Sequence, residues 1–116
     1  MAGFATIDLL VPGNASGIWI RDMSAFLAAD PEIATATWRT QVRSVADPKI
    51  LILDLSSSDG SIGLVGTVLT HRAPLAVMRS IEPGSYRWDG LYVTSSGRTM
   101  KWAEGDFVVR AGVTLL

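Results

Sequence analysis

Thr37-Trp38-Arg39-Thr40-Gln41-Val42-Arg43 is the stretch that decides the fold. In an extended chain, side chains alternate between two sides. Trp38, Thr40 and Val42 therefore share one face, and Thr37, Arg39, Gln41 and Arg43 share the other. One face suits a core and the other suits water, which is the signature of a strand in an antiparallel sheet. The segment reads as a strand over Thr35–Arg43, broken after it by Asp47-Pro48.

Downstream, Ile50–Leu55 is apolar on both faces. It reads either as a central strand covered on both sides or as one covered by a partner. Asp59-Gly60 is a hairpin signal, and Ser61–Arg72 reads as the returning strand, with Gly63 and Gly66 marking a bulge or a close backbone approach. Pro74–Ile81 is a short helix candidate: Pro74 suits a first helical position and Leu75, Met78 and Ile81 fall on one stripe. Ser85–Thr94 is a strand with Tyr86, Trp88 and Tyr92 on one face, followed by the turn Ser95-Ser96-Gly97. Arg98–Glu104 and Asp106–Arg110 pair last, with Gly105 as a bulge between them.

Upstream, Phe4–Val11 reads as a first strand, closed by the turn Pro12-Gly13-Asn14. Ser16–Met23 places Ile18 and Ile20 on one face, Trp19 and Arg21 on the other. Ser24–Ala29 reads as one helical turn or a loop before Asp30-Pro31. About seven short strands, with turn signals every ~8–12 residues, imply an all-β, immunoglobulin-like antiparallel β-sandwich with one short crossover helix. Residues 1–116 are expected to form a single domain.

Pro83-Gly84-Ser85-Tyr86-Arg87-Trp88 sharpens that expectation. Immunoglobulin-like folds carry a tyrosine near the start of one strand whose hydroxyl turns back onto the preceding corner. Pro83, Gly84 and Tyr86 suit such a corner, and Trp88 sits where antibody domains keep a core cysteine.

The chemistry-bearing residues are few. The chain has no cysteine and one histidine, which excludes thiol catalysis, disulfides and a nitrogen–sulfur metal site within one chain. His71, at a strand end beside Arg72, reads as a surface residue. The carboxylates are scattered, and neither a phosphate-cradling glycine loop nor a serine nucleophile elbow occurs. No enzyme activity and no cofactor are expected. Net charge is −1 with the signs interspersed, so no footprint for nucleic acid is visible. Met1–Val11 does not read as a signal peptide, and no run approaches the ~20 apolar residues of a membrane span. The chain is therefore expected to be made in the cytoplasm, with neither nucleic acid nor membrane as a partner.

Four tryptophans are many for 116 residues. Trp38 and Trp88 fall on faces assigned to the core. Trp19 and Trp102, if they protrude, are the first candidates for contact residues, either in a protein interface or stacked on a sugar as in a carbohydrate-binding module. The other interface candidates are Leu51, Leu53 and Leu55 on the two-sided apolar strand, and Leu115 and Leu116 at the apolar end.

The order of Thr37–Arg43, Asp59-Gly60, Ile81-Glu82-Pro83-Gly84-Ser85-Tyr86-Arg87-Trp88-Asp89, Glu104-Gly105 and Val113-Thr114 resembles small phage and prophage proteins encoded near tail-fibre and baseplate genes. It is also similar to the N-terminal β-sandwich of siphophage upper baseplate proteins, which attaches receptor-binding parts to the tail tip. The resemblance spans about Ser16–Thr114, and Pro83–Asp89 is its most characteristic piece. It implies a structural or adaptor role in the virion tail. It also implies self-association as a homo-oligomer, other tail or baseplate proteins as partners, and no catalysis.

Overall fold

Strand alternation and turn chemistry divide the chain into nine strands among the described residues, which are 5–13 and 15–111 of a computed structural model. In chain order these are β1 (Ala5–Thr6), β2 (Leu9–Pro12), β3 (Gly17–Asp22), β4 (Thr37–Ser44), β5 (Leu51–Ser56), β6 (Ile62–Val65), β7 (Val68–Ala73), β8 (Gly84–Val93) and β9 (Thr99–Arg110). Two short helices, α1 (Ser24–Ala29) and α2 (Leu75–Arg79), lie on the connections, and a 3-10 turn covers Pro31–Thr35. The fold is an all-β sandwich of two sheets. The larger runs β1-β9-β8-β4-β5, with β2 also on β9, and the smaller runs β3-β7-β6.

The inner faces meet through the residues that alternation assigns to the core. Trp38, Thr40 and Val42 of β4 are buried, as are Trp88 and Tyr92 of β8. Across the gap, the Thr40 hydroxyl lies 2.9 Å from Nε2 of His71 on β7. Trp19 of β3 meets Phe107 of β9 edge-on, with ring centroids 5.6 Å apart.

Several expectations need correction. Ser61–Arg72 does not return beside Ile50–Leu55. It is itself a hairpin, β6–β7, turning at Gly66, whose φ of +62° suits a residue without a side chain. Asp59-Gly60 instead carries the chain from the larger sheet to the smaller. β5 is thus an edge strand, paired with β4 alone among the described residues. Phe4 lies outside the described residues, and among those the first strand is not one but two, Ala5–Thr6 and Leu9–Pro12, both parallel to β9. At their junction the Asp8 carboxylate accepts from the Asp106 N–H at 3.0 Å, standing in for a ladder carbonyl.

Gly105 is not a bulge, because it stays in register opposite Trp88. It allows a close approach: a Cβ there would lie 1.9 Å from the Ile7 carbonyl oxygen. The same carbonyl accepts from the Trp88 indole N–H at 2.8 Å. The irregularity lies one turn of alternation earlier. Gly90 opposes Ala103 and Leu91 opposes Lys101, which leaves Trp102 as the extra residue.

Candidate interaction surface

The bulge at Trp102 decides where its side chain goes. Trp102 and Ala103 are both buried although they are adjacent, so the strand feeds two consecutive residues inward. The Trp102 indole is 2% exposed. Its ring centroid lies 5.8 Å from that of Trp88, 6.0 Å from Phe26, 6.2 Å from Trp38 and 6.3 Å from His71. Trp19 is half-buried and stacks on His71 at 5.2 Å with the planes 9° apart. Neither tryptophan offers an open face to a sugar or a partner, and the carbohydrate-module reading loses its two residues.

His71 is likewise a core residue, 1% exposed, rather than a surface one. Burial pushes its pKa down to about 4. Its Nδ1 and the Trp19 indole N–H find no hydrogen-bond partner among the described residues. A neutral imidazole wedged between indoles is placed to pack, and it is out of reach of any molecule outside.

The leucine candidates divide. Leu53 and Leu55 are buried in the core, while Leu51 is exposed at the start of β5. Leu115 and Leu116 lie outside the described residues, as do Asn14 and the strand extension read over Gly112–Leu116. At the corner before β8, Pro83 and Gly84 are exposed and the Tyr86 hydroxyl donates to the Glu82 carbonyl at 2.5 Å. Trp88 is buried two residues on. This group holds the chain where it re-enters the larger sheet, and it is structural.

The charged groups are mostly absorbed in pairs. Arg98 donates to both carboxylate oxygens of Asp30 at 2.9 Å and to Glu32 at 3.0 Å. Tyr92 adds its hydroxyl to Asp30 at 3.2 Å. Burial raises the Asp30 pKa, but the Arg98 hydrogen bonds and charge with the Tyr92 hydroxyl outweigh it and leave the carboxyl below its ordinary value. The cluster ties the segment after α1 to the end of the β8–β9 hairpin. A groove of about 580 Å³ runs between β5, α2 and the ends of β3 and β7. Its two carboxylates are engaged, Asp54 by Arg39 at 2.7 Å and Asp59 by the Ser61 N–H at 2.8 Å.

The two outer faces of the sandwich differ in kind. The larger sheet is covered by ion pairs: Arg39–Asp54 at 2.7 Å, Arg87–Asp106 at 2.7 Å and Lys101–Glu104 at 3.0 Å. That is a solvated face. The smaller sheet presents Ile18 (62% exposed), Ile20 (67%), Val65 (80%) and Val68 (37%). Arg72, Thr70 and Asp22 lie between them, so the face is mixed, and its exposed apolar side chains make it the candidate contact face. The alternation of β3 shows that Ile18 and Ile20 share a face, but not that this face is the outer one. The usable signal is that Trp19 and Met23, both bulky, share the opposite parity.

The strand edges differ as well. β1 has two residues, β2 has four and ends in Pro12, and β6 has four. β5 is interrupted by the register shift at Val42/Arg43, and the Ser61 hydroxyl accepts from its Ser56 N–H at 2.8 Å. These are the devices that keep edges from pairing. β3 is longer and more regular: its six residues pair with β7 in unbroken register, and its charges are confined to Arg21 and Asp22 at one end.

No family model matches the chain, and no curated protein matches it. Among solved structures it is similar to CopC from Methylosinus trichosporium OB3b, at 13% sequence identity and a TM-score of 0.44, over 99% of this chain and 91% of that one.

Proposed function

We propose that the chain is a non-catalytic structural or adaptor component of a phage or prophage tail, in the baseplate or tail-fibre region, and acts through protein–protein contacts. The observation that carries the contact role is the smaller sheet, whose outer face exposes Ile18, Ile20, Val65 and Val68 beside a six-residue edge that no strand covers among the described residues. Assemblies build rings and fibres from self-complementary surfaces of this sort. The burial of His71 supports a role without acid–base chemistry, because the one imidazole of the chain is held neutral in the core. The tail assignment rests on the resemblance of Thr37–Arg43 and Pro83–Asp89 to tail-associated proteins.

Mass spectrometry of particles purified after prophage induction in the source strain tests the assignment. The chain is expected in the tail fraction at a stoichiometry comparable with baseplate proteins. Its absence from intact particles, with the chain abundant in the lysate, would overturn the virion role.

A further inference from the structure

β3 has a definite hydrogen-bonding polarity. The Met23 N–H donates to the Thr67 carbonyl at 2.6 Å, and the register of β3 on β7 continues from that pair. Gly17, Trp19 and Arg21 therefore direct their backbone groups at β7. Ile18, Ile20 and Asp22 direct theirs at the other edge, which no strand covers among the described residues. In side-chain terms, these same three residues line the outer face of the sheet.

We propose that β3 pairs antiparallel with the β3 of a second copy, about a two-fold axis at Ile20, and joins the two small sheets into one of six strands. This deepens the contact role proposed above and rests on it, but it does not depend on tail membership. Antiparallel pairing matches outward-directed residues with one another. Centring on Ile20 sets Ile20 opposite Ile20 and Ile18 opposite Asp22 on both sides of the axis. That uses every outward backbone group of the strand, about six hydrogen bonds in all.

Charge disfavours the registers displaced towards Asp22. Shifting the centre by one position, to Arg21, would set two arginines face to face. Centring on Asp22 would oppose two carboxylates, and like charges directly opposite destabilise a sheet. With the axis at Ile20, Arg21 lies opposite the second copy's Trp19, and no like charges meet. The charged ends of the two strands then sit at opposite limits of the interface. Four isoleucines come together across the axis, as cross-strand Ile20–Ile20 and diagonal Ile18–Ile20 contacts. A two-fold operation also closes the assembly, because one open edge satisfies the other.

The test uses the self-pairing of position 20 in the full chain. Ile20 is 67% exposed, so charged replacements leave the core intact. By analytical ultracentrifugation, the wild-type chain is expected to dimerise at high micromolar concentration. Ile20→Lys and Ile20→Glu are each expected to weaken self-association at least tenfold. An equimolar mixture of the two variants is expected to recover the dimer, because opposite charges then face each other across the axis. Circular dichroism and urea unfolding confirm that each variant folds. A wild-type chain that stays monomeric to several hundred micromolar would overturn the proposal. So would a dimer indifferent to both variants, or a mixture that stays monomeric. A monomer that is still found in purified tails would sink the self-pairing alone and leave the tail role standing.

Discussion

Trp102→Ala lowers the unfolding free energy by about 3–5 kcal/mol, the range for truncating a large buried aromatic. The indole is 2% exposed and touches four other rings, so its removal leaves a cavity bounded by both sheets. It also stands over Gly90, where a Cβ would fall 2.3 Å from its Nε1, so the backbone of β8 is shaped to admit it. A small domain has roughly 5–15 kcal/mol of stability in total. Loss on this scale moves the urea midpoint by molar amounts with little change in slope. Trp102→Phe, which keeps a ring in the site, is expected to recover part of the loss. A Trp102→Ala cost within about 0.5 kcal/mol, the usual range for surface positions, would return the indole to the surface and restore the sugar-stacking reading.

Acid weakens the fold through His71. The unfolded histidine has a pKa near 6.5, and burial lowers the folded value to about 4. Between those values the unfolded chain holds more protons than the folded one, so stability falls as pH falls. The contribution is fully present above about pH 6.5 and is lost on approach to pH 4. Its full size is about 3 kcal/mol, from roughly 1.4 kcal/mol for each unit of separation. The charged groups on the strands packed against the ring, including Arg39 and Arg43 on β4 and Lys101 and Glu104 on β9, lie on the outer face. Arg21 of β3 is exposed at the sheet edge, and Arg72 of β7 points outward. None compensates a buried imidazolium. Asp30, Glu32, Asp54 and Asp59 are all held below their ordinary carboxylate values by their hydrogen-bond partners. Urea midpoints at pH 7.5 and pH 4.5 measure the effect. Wild type is expected to lose most of the increment, and His71→Gln is expected to be less stable at pH 7.5 but flat across the window. Equal losses in both chains would show that His71 is not the titrating group.

The sequence made the sandwich legible because alternation is a local property. Trp38, Thr40 and Val42 are spaced so that no other secondary structure buries all three on one side. The Ser95-Ser96-Gly97 turn sets β8 against β9, and Gly97 adopts a φ of +91° there. Two kinds of information were not local. The bulge at Trp102 reverses the parity of β9 part-way along, and it exists because β8 and β9 must both close around the indole. The partner of β5 was also hidden. Asp59-Gly60 marks a turn, but whether the chain then pairs beside itself or crosses to the other sheet depends on contacts far along the sequence. The proposed contact face was missed for a related reason. Ile18 and Ile20 resemble core residues in composition, and alternation groups them without saying which side of the sheet is covered. His71 resembled a surface residue because a strand end is exposed more often than not. Its burial follows from Trp19, which roofs it from the neighbouring strand.

Backbone hydrogen exchange along β3, followed by NMR at low and high protein concentration, tests the contact role most directly. In dilute solution, the amides of Trp19 and Arg21 are expected to be protected by β7, while those of Ile18, Ile20 and Asp22 exchange quickly. At high concentration, all five are expected to be protected. Fast exchange at Ile18, Ile20 and Asp22 that does not change with concentration would contradict the self-pairing through β3.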